Sequence, residues 1–115
     1  PDGYDLYVSQ DQPLTHTDTI TTIPDFSCTI ASPCPWSGIG LGFTVSAGTS
    51  VESKWGTDPN FKFAYFPLSP IIIHQKSGFS SGNDQTTVSY KLDTPGTQKS
   101  GAYSNIITYT AMERL

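Results

Sequence analysis

From Thr86 to Asp93 the chain changes character at every second residue. Thr86, Val88, Tyr90 and Leu92 fall on one face of an extended backbone, and Thr87, Ser89, Lys91 and Asp93 fall on the other. That period of two belongs to a strand with one covered face and one wet face, and it rules out a helix here. The stretch from Asp84 to Ala111 continues with Tyr103, Ile106, Ile107, Thr108, Tyr109 and Thr110, a run of β-branched and aromatic residues that suits a second strand by propensity as well. Between the two, Thr94-Pro95-Gly96 and Ser100-Gly101 supply turn residues. Val88, Tyr90, Leu92, Ile107 and Tyr109 are expected to share one core, so that Leu92→Ala is costly and Lys91→Ala nearly neutral.

A chain of 115 residues is expected to form a single domain, 1–115, with enough buried surface for one two-layer core. It carries 10 Gly and 9 Pro against only 14% charged residues, a mixture that suits strands joined by many short turns. The net charge of −4 and a single arginine, Arg114, argue against a phosphate-binding surface and hence against nucleic acid as a partner. No apolar run reaches the roughly 20 residues that span a bilayer, so no membrane insertion is expected. No charged-then-apolar leader stands at the start, so a secreted form is expected to have lost its leader already. Cys28 and Cys34 lie close together in SCTIASPCPW, with Pro33 and Pro35 stiffening the second one. A disulfide closing a small loop, and with it an oxidising compartment, is the favoured reading. Two reduced thiols are the alternative.

In order along the chain, Pro1-Asp2-Gly3 reads as a turn and Tyr4–Ser9 as a strand. Gln10–Thr19 reads as a loop, and Ile20–Phe26 as holding a short strand stopped by Pro24. After the cysteine loop, Ile39, Leu41, Phe43 and Val45 alternate with Gly40, Gly42, Thr44 and Ser46. The glycines on the outer face either admit another backbone or weaken an edge. Ala47–Pro59 reads as a loop bearing Glu52, Lys54 and Trp55. Phe61, Phe63 and Tyr65 are expected to share one face of the next strand. Ile71-Ile72-Ile73, between Pro70 and the Ser/Gly stretch Ser77–Asn83, is expected to be a strand covered on both faces or lying across the sandwich. The sum is an all-β chain, a sandwich of about seven short antiparallel strands.

Few residues carry the pattern of a reaction. Glu52 and Glu113 are the only glutamates and the aspartates are scattered through turns, so no carboxylate pair for glycoside cleavage is indicated. His16 and His74 stand at no spacing suited to zinc or to a serine nucleophile. Asp58-Pro59-Asn60 and Asn83-Asp84 offer oxygens but match no calcium loop. No catalytic residue, cofactor or metal is therefore assigned. Trp36 and Trp55, with Tyr65, are the candidate binding residues: large rings in or beside predicted loops either stack on sugars and anchor a partner, or fold back to plug the end of the sandwich.

The ending, Ser100-Gly101-Ala102-Tyr103-Ser104-Asn105-Ile106-Ile107-Thr108-Tyr109, resembles the closing strands of Ig-like β-sandwich domains on bacterial cell-surface proteins. The opening PDGYDLYVS, with TIPDFSC, the cysteine pair and the Trp-Ser followed by GLGF, is similar to the same type of domain in large secreted proteins of ultra-small and related bacteria. A more distant similarity is to surface domains of the WxL type, although the Trp-x-Leu signature is absent. The resemblance implies a non-enzymatic extracellular structural or adhesive module of a surface protein or appendage. Its partners would be other copies, flanking domains or glycans, and a carbohydrate-binding module is the alternative reading. Domains of this kind carry a further strand ahead of the segment matching Pro1–Tyr4. The missing strand is therefore expected from a neighbouring subunit or from sequence outside this stretch, with the Gly40/Gly42 face and Ile106–Ala111 as candidate docking sites.

Overall fold

A computed structural model describes residues 3–78 and 83–114. The expected opening turn at Pro1-Asp2, the stretch 79–82 and Leu115 lie outside them. The described residues hold five long strands and four of two residues each: β1 (Gly3–Gln10), β2 (Thr15–His16), β3 (Cys34–Pro35), β4 (Gly40–Gly48), β5 (Lys62–Phe63), β6 (Ile71–Ser77), β7 (Thr86–Asp93), β8 (Tyr103–Ser104) and β9 (Ile107–Glu113). The strands β6-β1-β9 form one antiparallel sheet and β4-β7 another, while β2 pairs with β8 and β3 with β5. The fold is all-β and sandwich-like.

The core gathers on β4. Phe43 and Val45 have no exposed surface, and Phe43 stacks on Phe66 with ring centroids 4.5 Å apart and lies 5.4 Å from Trp55. Val8, Ile30, Leu41, Ala64 and Ile73 complete this cluster. Val88 and Ile107 do pack against it, but Tyr90, Leu92 and Tyr109 remain 50%, 48% and 40% exposed. The expected core of the closing strands is thus corrected: their alternation marks the inward face, but none of the described residues covers that face near its open side. The Phe61/Phe63/Tyr65 face is corrected as well. These three are half-buried, whereas the intervening Ala64 and Phe66 are buried, because Ala64 bridges to Phe43 and carries the next even residue inward.

Gly40 and Gly42 face their own chain. A Cβ at Gly42 would stand 2.9 Å from the Trp36 ring and 3.0 Å from Phe26 Cβ, and one at Gly40 would strike the backbone of Asp25 and Phe26. Phe26 and Trp36 stack 4.3 Å apart over this face, so β4 is buried on both sides and the glycine face is no docking site for an incoming strand. Cys28 and Cys34 are bonded to each other and close the loop that delivers Trp36. The Ile20–Phe26 segment forms only isolated bridges, with Ile23 and Phe26 buried and Ile20 exposed. Instead of being covered on both faces, Ile71–Ile73 opens an edge strand. A bulge between Leu6 and Tyr7 leaves Ile73 without an opposite residue, so Ile73 and His74 are both buried although adjacent.

The connection from β7 to β9 crosses from one sheet to the other as an arch, and it is densely pinned. Tyr103 donates its hydroxyl to the Lys99 carbonyl at 2.6 Å and accepts from Gln98 Nε2 at 2.9 Å. This is the geometry of a tyrosine corner, in which a phenol ties a crossing segment to backbone just upstream. Lys99 Nζ lies 2.9 Å from Asp18 Oδ2, and Ile106 N–H donates to Asp11 Oδ1 at 2.8 Å. The side chain of Thr21, the backbone N–H groups of Ile20 and Thr21, and Lys99 hold the Asp18 carboxyl well below the ordinary aspartate range.

Two outcomes are expected. Phe43→Ala should cost about 3–5 kcal/mol, whereas the half-exposed Leu92→Ala should cost about 1 kcal/mol, read as shifts in a denaturant titration. Because Asp18 is lowered in the folded chain, the stability tied to its carboxylate is complete above the ordinary aspartate value and is lost as pH falls toward the lowered one. Denaturant midpoints of the native chain and of Asp18→Asn should therefore differ at neutral pH and converge in strong acid.

Candidate functional site

The two sheets of long strands have four outer edges, and they are treated unequally. Beyond β6, the loop around Trp55 closes the edge: Trp55 Nε1–H donates to the Ile73 carbonyl at 3.1 Å, and Glu52 Oε2 accepts the Gln75 N–H at 2.8 Å. The other oxygen of Glu52 accepts from Nδ1 of the buried His74 at 2.8 Å. Beyond β4, Pro24, Phe26 and Ala64 exchange backbone hydrogen bonds with Leu41 and Phe43. The two remaining edges, those of β7 and β9, face each other and are open among the described residues.

Between them runs an apolar groove of about 720 Å³. Leu6 of β1 forms its floor, Val88 one wall and Ala111 the other. Two polar rungs cross it: the hydroxyls of Tyr90 and Tyr109 hydrogen-bond to each other, and the Tyr4 hydroxyl lies 3.3 Å from Thr86 Oγ1. The arch, which carries β8 and is held to β2, links one wall to the other.

The ladder pattern identifies the unpaired backbone. Asp11 N–H donates to the Ile106 carbonyl and Arg114 N–H to the Gly3 carbonyl, so even-numbered residues of β9 exchange bonds with β1. Ile107, Tyr109, Ala111 and Glu113 therefore aim their N–H and C=O groups at the open side. By the same alternation, Leu41 and Phe43 of β4 point away from β7, which leaves Val88, Tyr90 and Leu92 with outward groups on the facing edge. No described hydrogen bond reaches these groups.

The predicted binding aromatics fare differently. Trp55 has no exposed surface and packs against Phe43 beside the β6 edge, so it is corrected from binding candidate to core. Trp36 is half-buried, with its Nε1–H donating to Asp93 Oδ2 at 2.7 Å and Lys91 Nζ 5.4 Å from its ring. With Asn60, Phe61, Lys62, Phe63 and Lys91 it borders a second concavity, of about 490 Å³. Tyr65 is not part of it and lines a small apolar hollow with Ile30 and Ile71. His16 Nε2 lies 3.0 Å from the Ser100 carbonyl and its Nδ1 accepts the Asp18 N–H, so both histidines are tied to local structure. No cluster of three His, Cys, Asp or Glu suited to a metal occurs among the described residues, and no described helix is long and apolar enough to cross a membrane. The groove-lining strands were read from the sequence, and Ile106–Ala111, a candidate docking segment there, supplies the β9 wall, but the groove itself was not read: alternation reveals a face, whereas an uncovered edge depends on what lies beside it.

Comparison with protein-family models, with curated proteins and with solved structures finds no match.

Burial, and then the hydrogen bond and charge of Tyr90, push the Tyr109 phenol well above the ordinary tyrosine range. The stability tied to the neutral phenol is complete below the ordinary value and is lost as pH rises through the raised one. In a spectrophotometric titration one of the six tyrosines should ionise last, and Tyr109→Phe should remove that late step. Ionisation of all six within the ordinary range would show that the rung is not formed.

Proposed function

We propose that this chain is a non-enzymatic extracellular structural or adhesive module that assembles by accepting a strand into the groove between β7 and β9. The observation that carries this reading is the pairing of two open strand edges with an apolar floor, while the other two edges are closed by the chain's own loops. An added strand would satisfy the outward N–H and C=O groups of Tyr109 and Ala111 and lay its alternate side chains over Leu6 and Val88, so backbone bonds supply affinity and the groove supplies selectivity. The Cys28–Cys34 bond supports an oxidising compartment, as an exported module requires. A second reading, glycan binding, is favoured by the concavity at Trp36, where Phe61 and Phe63 offer ring surface beside two lysines.

Amide hydrogen exchange tests the first reading. With an extended decapeptide of alternating valine and threonine as the probe, the Tyr109 and Ala111 amides should exchange rapidly in the free chain and become protected on addition. Thr110, already bonded to β1, should change little. Ala111→Pro deletes an outward N–H while sparing the ladder to β1, and it should abolish the protection without unfolding the chain. Amides of Tyr109 and Ala111 that are slow in the free monomer would overturn the reading. Glycan-array binding lost in Trp36→Ala would favour the second reading instead.

A further inference from the structure

The groove has two chemically different ends. At one end the Tyr90–Tyr109 rung presents hydroxyls and rings. At the other, beyond Tyr4 and Thr86, Asp84 lines the groove, and its Oδ2 is buried with no hydrogen-bond donor among the described residues. Among the described residues, its Oδ1 has only a long contact, 3.4 Å, from the Thr49 hydroxyl. Glu113 sits opposite Tyr4 in the β1–β9 ladder, two residues beyond Ala111 and so on the same face of β9. It is exposed and joins no ion pair among the described residues.

The nearby cations among the described residues are committed elsewhere. Arg114 bonds to Asp5 Oδ1 at 2.8 Å, and Lys76, opposite Tyr4 on its other side, donates to the Ser77 carbonyl at 2.8 Å. A carboxylate oxygen shut away from water without a donor is costly, and it is relieved by a cation or N–H brought to it. Resting on the strand-addition reading above, we infer that the occupant of the groove is an extended segment of a partner chain with small apolar side chains at alternate positions and a lysine or arginine at the end that reaches Asp84 and Glu113. The carboxylates then set the register: a cation can meet them only when the apolar side chains fall between the two rungs. A one-residue slip would turn those side chains away from Leu6, Val88 and Ala111.

The test uses three decapeptides with the same alternating valine–threonine centre and lysine, glutamine or glutamate at both ends, titrated into the 115-residue chain by calorimetry. The lysine peptide should bind about tenfold tighter than the glutamine peptide, and the glutamate peptide weaker still. Asp84→Asn should erase the lysine advantage and Glu113→Gln should reduce it. Asp58→Asn, which removes the same charge away from the groove, should leave the advantage intact. Raising salt to about 0.5 M should shrink the advantage. Equal affinities for all three peptides, each abolished by Ala111→Pro, would overturn the cation while leaving the groove reading standing. No binding by any peptide, with the Tyr109 and Ala111 amides unchanged, would overturn both. A concentration-dependent dimer seen by sedimentation, with those amides protected and peptides unable to compete, would replace the partner segment by a second copy pairing through β9.

Discussion

Burial of β4 on both faces is the constraint from which the rest of the arrangement follows. A strand that is wet on neither side needs two covers, and this chain supplies them from different sources. The inner face is met by the β6-β1-β9 sheet together with the aromatic rings of Trp55 and Phe66. The outer face, stripped to glycine at Gly40 and Gly42, is met by backbone at Asp25 and Phe26 and by the flat Trp36 ring. A side chain at Gly42 would force the ring off, and with it the Asp93 contact that ties the cysteine loop to the end of β7. The disulfide has a positional role here. It shortens the reach of the loop that must place Trp36.

Because so much of the chain is spent on covering β4 and closing the β6 edge, little is left for the opposite side. The residues between β7 and β9 are drawn into the arch, where Tyr103, Gln98, Lys99 and Asp18 hold one another. The arch links the two walls and does not itself fill the space between them. Polar rungs at Tyr4–Thr86 and Tyr90–Tyr109 keep the walls in register without closing them. The groove is thus framed by ordinary stabilising contacts. Its function as a strand acceptor is our proposal; its geometry is that of a sandwich with one side left open.

The all-β class and the strands β1, β4, β7 and β9 were legible in the sequence because alternation is a local signal. So was the cysteine pairing, which rests on spacing. The deeper core was harder to read. Phe26, Trp55 and Phe66 come from segments without periodicity, and their burial is decided by which strand they land on. Ala64 and Phe66 displaced Phe61, Phe63 and Tyr65 as the inward set because a single bridge to Phe43 fixes which parity points in. Tyr90, Leu92 and Tyr109 lie on the inward face that the alternation indicated, yet stay half-exposed for lack of a neighbour. The candidate site sits where local pattern is obeyed and lateral coverage is missing. The tyrosine corner had a readable signal, a Tyr four residues after Lys99 in a Gly-containing turn, which only the crossing between sheets makes meaningful.

The closed β6 edge has a bearing on assembly that reaches past the groove itself. Trp55 and Glu52 occupy two of the backbone groups that would otherwise receive a strand on that side, the Ile73 carbonyl and the Gln75 N–H. Under the strand-acceptor proposal, the module would have a valence of one toward strands. A partner contributing a lone segment would terminate growth, and a partner contributing a segment and its own open side would extend it in single file. Branching through backbone pairing would be opposed at the β6 edge by one indole N–H and one carboxylate, and at the β4 edge by the backbone of Pro24, Phe26 and Ala64.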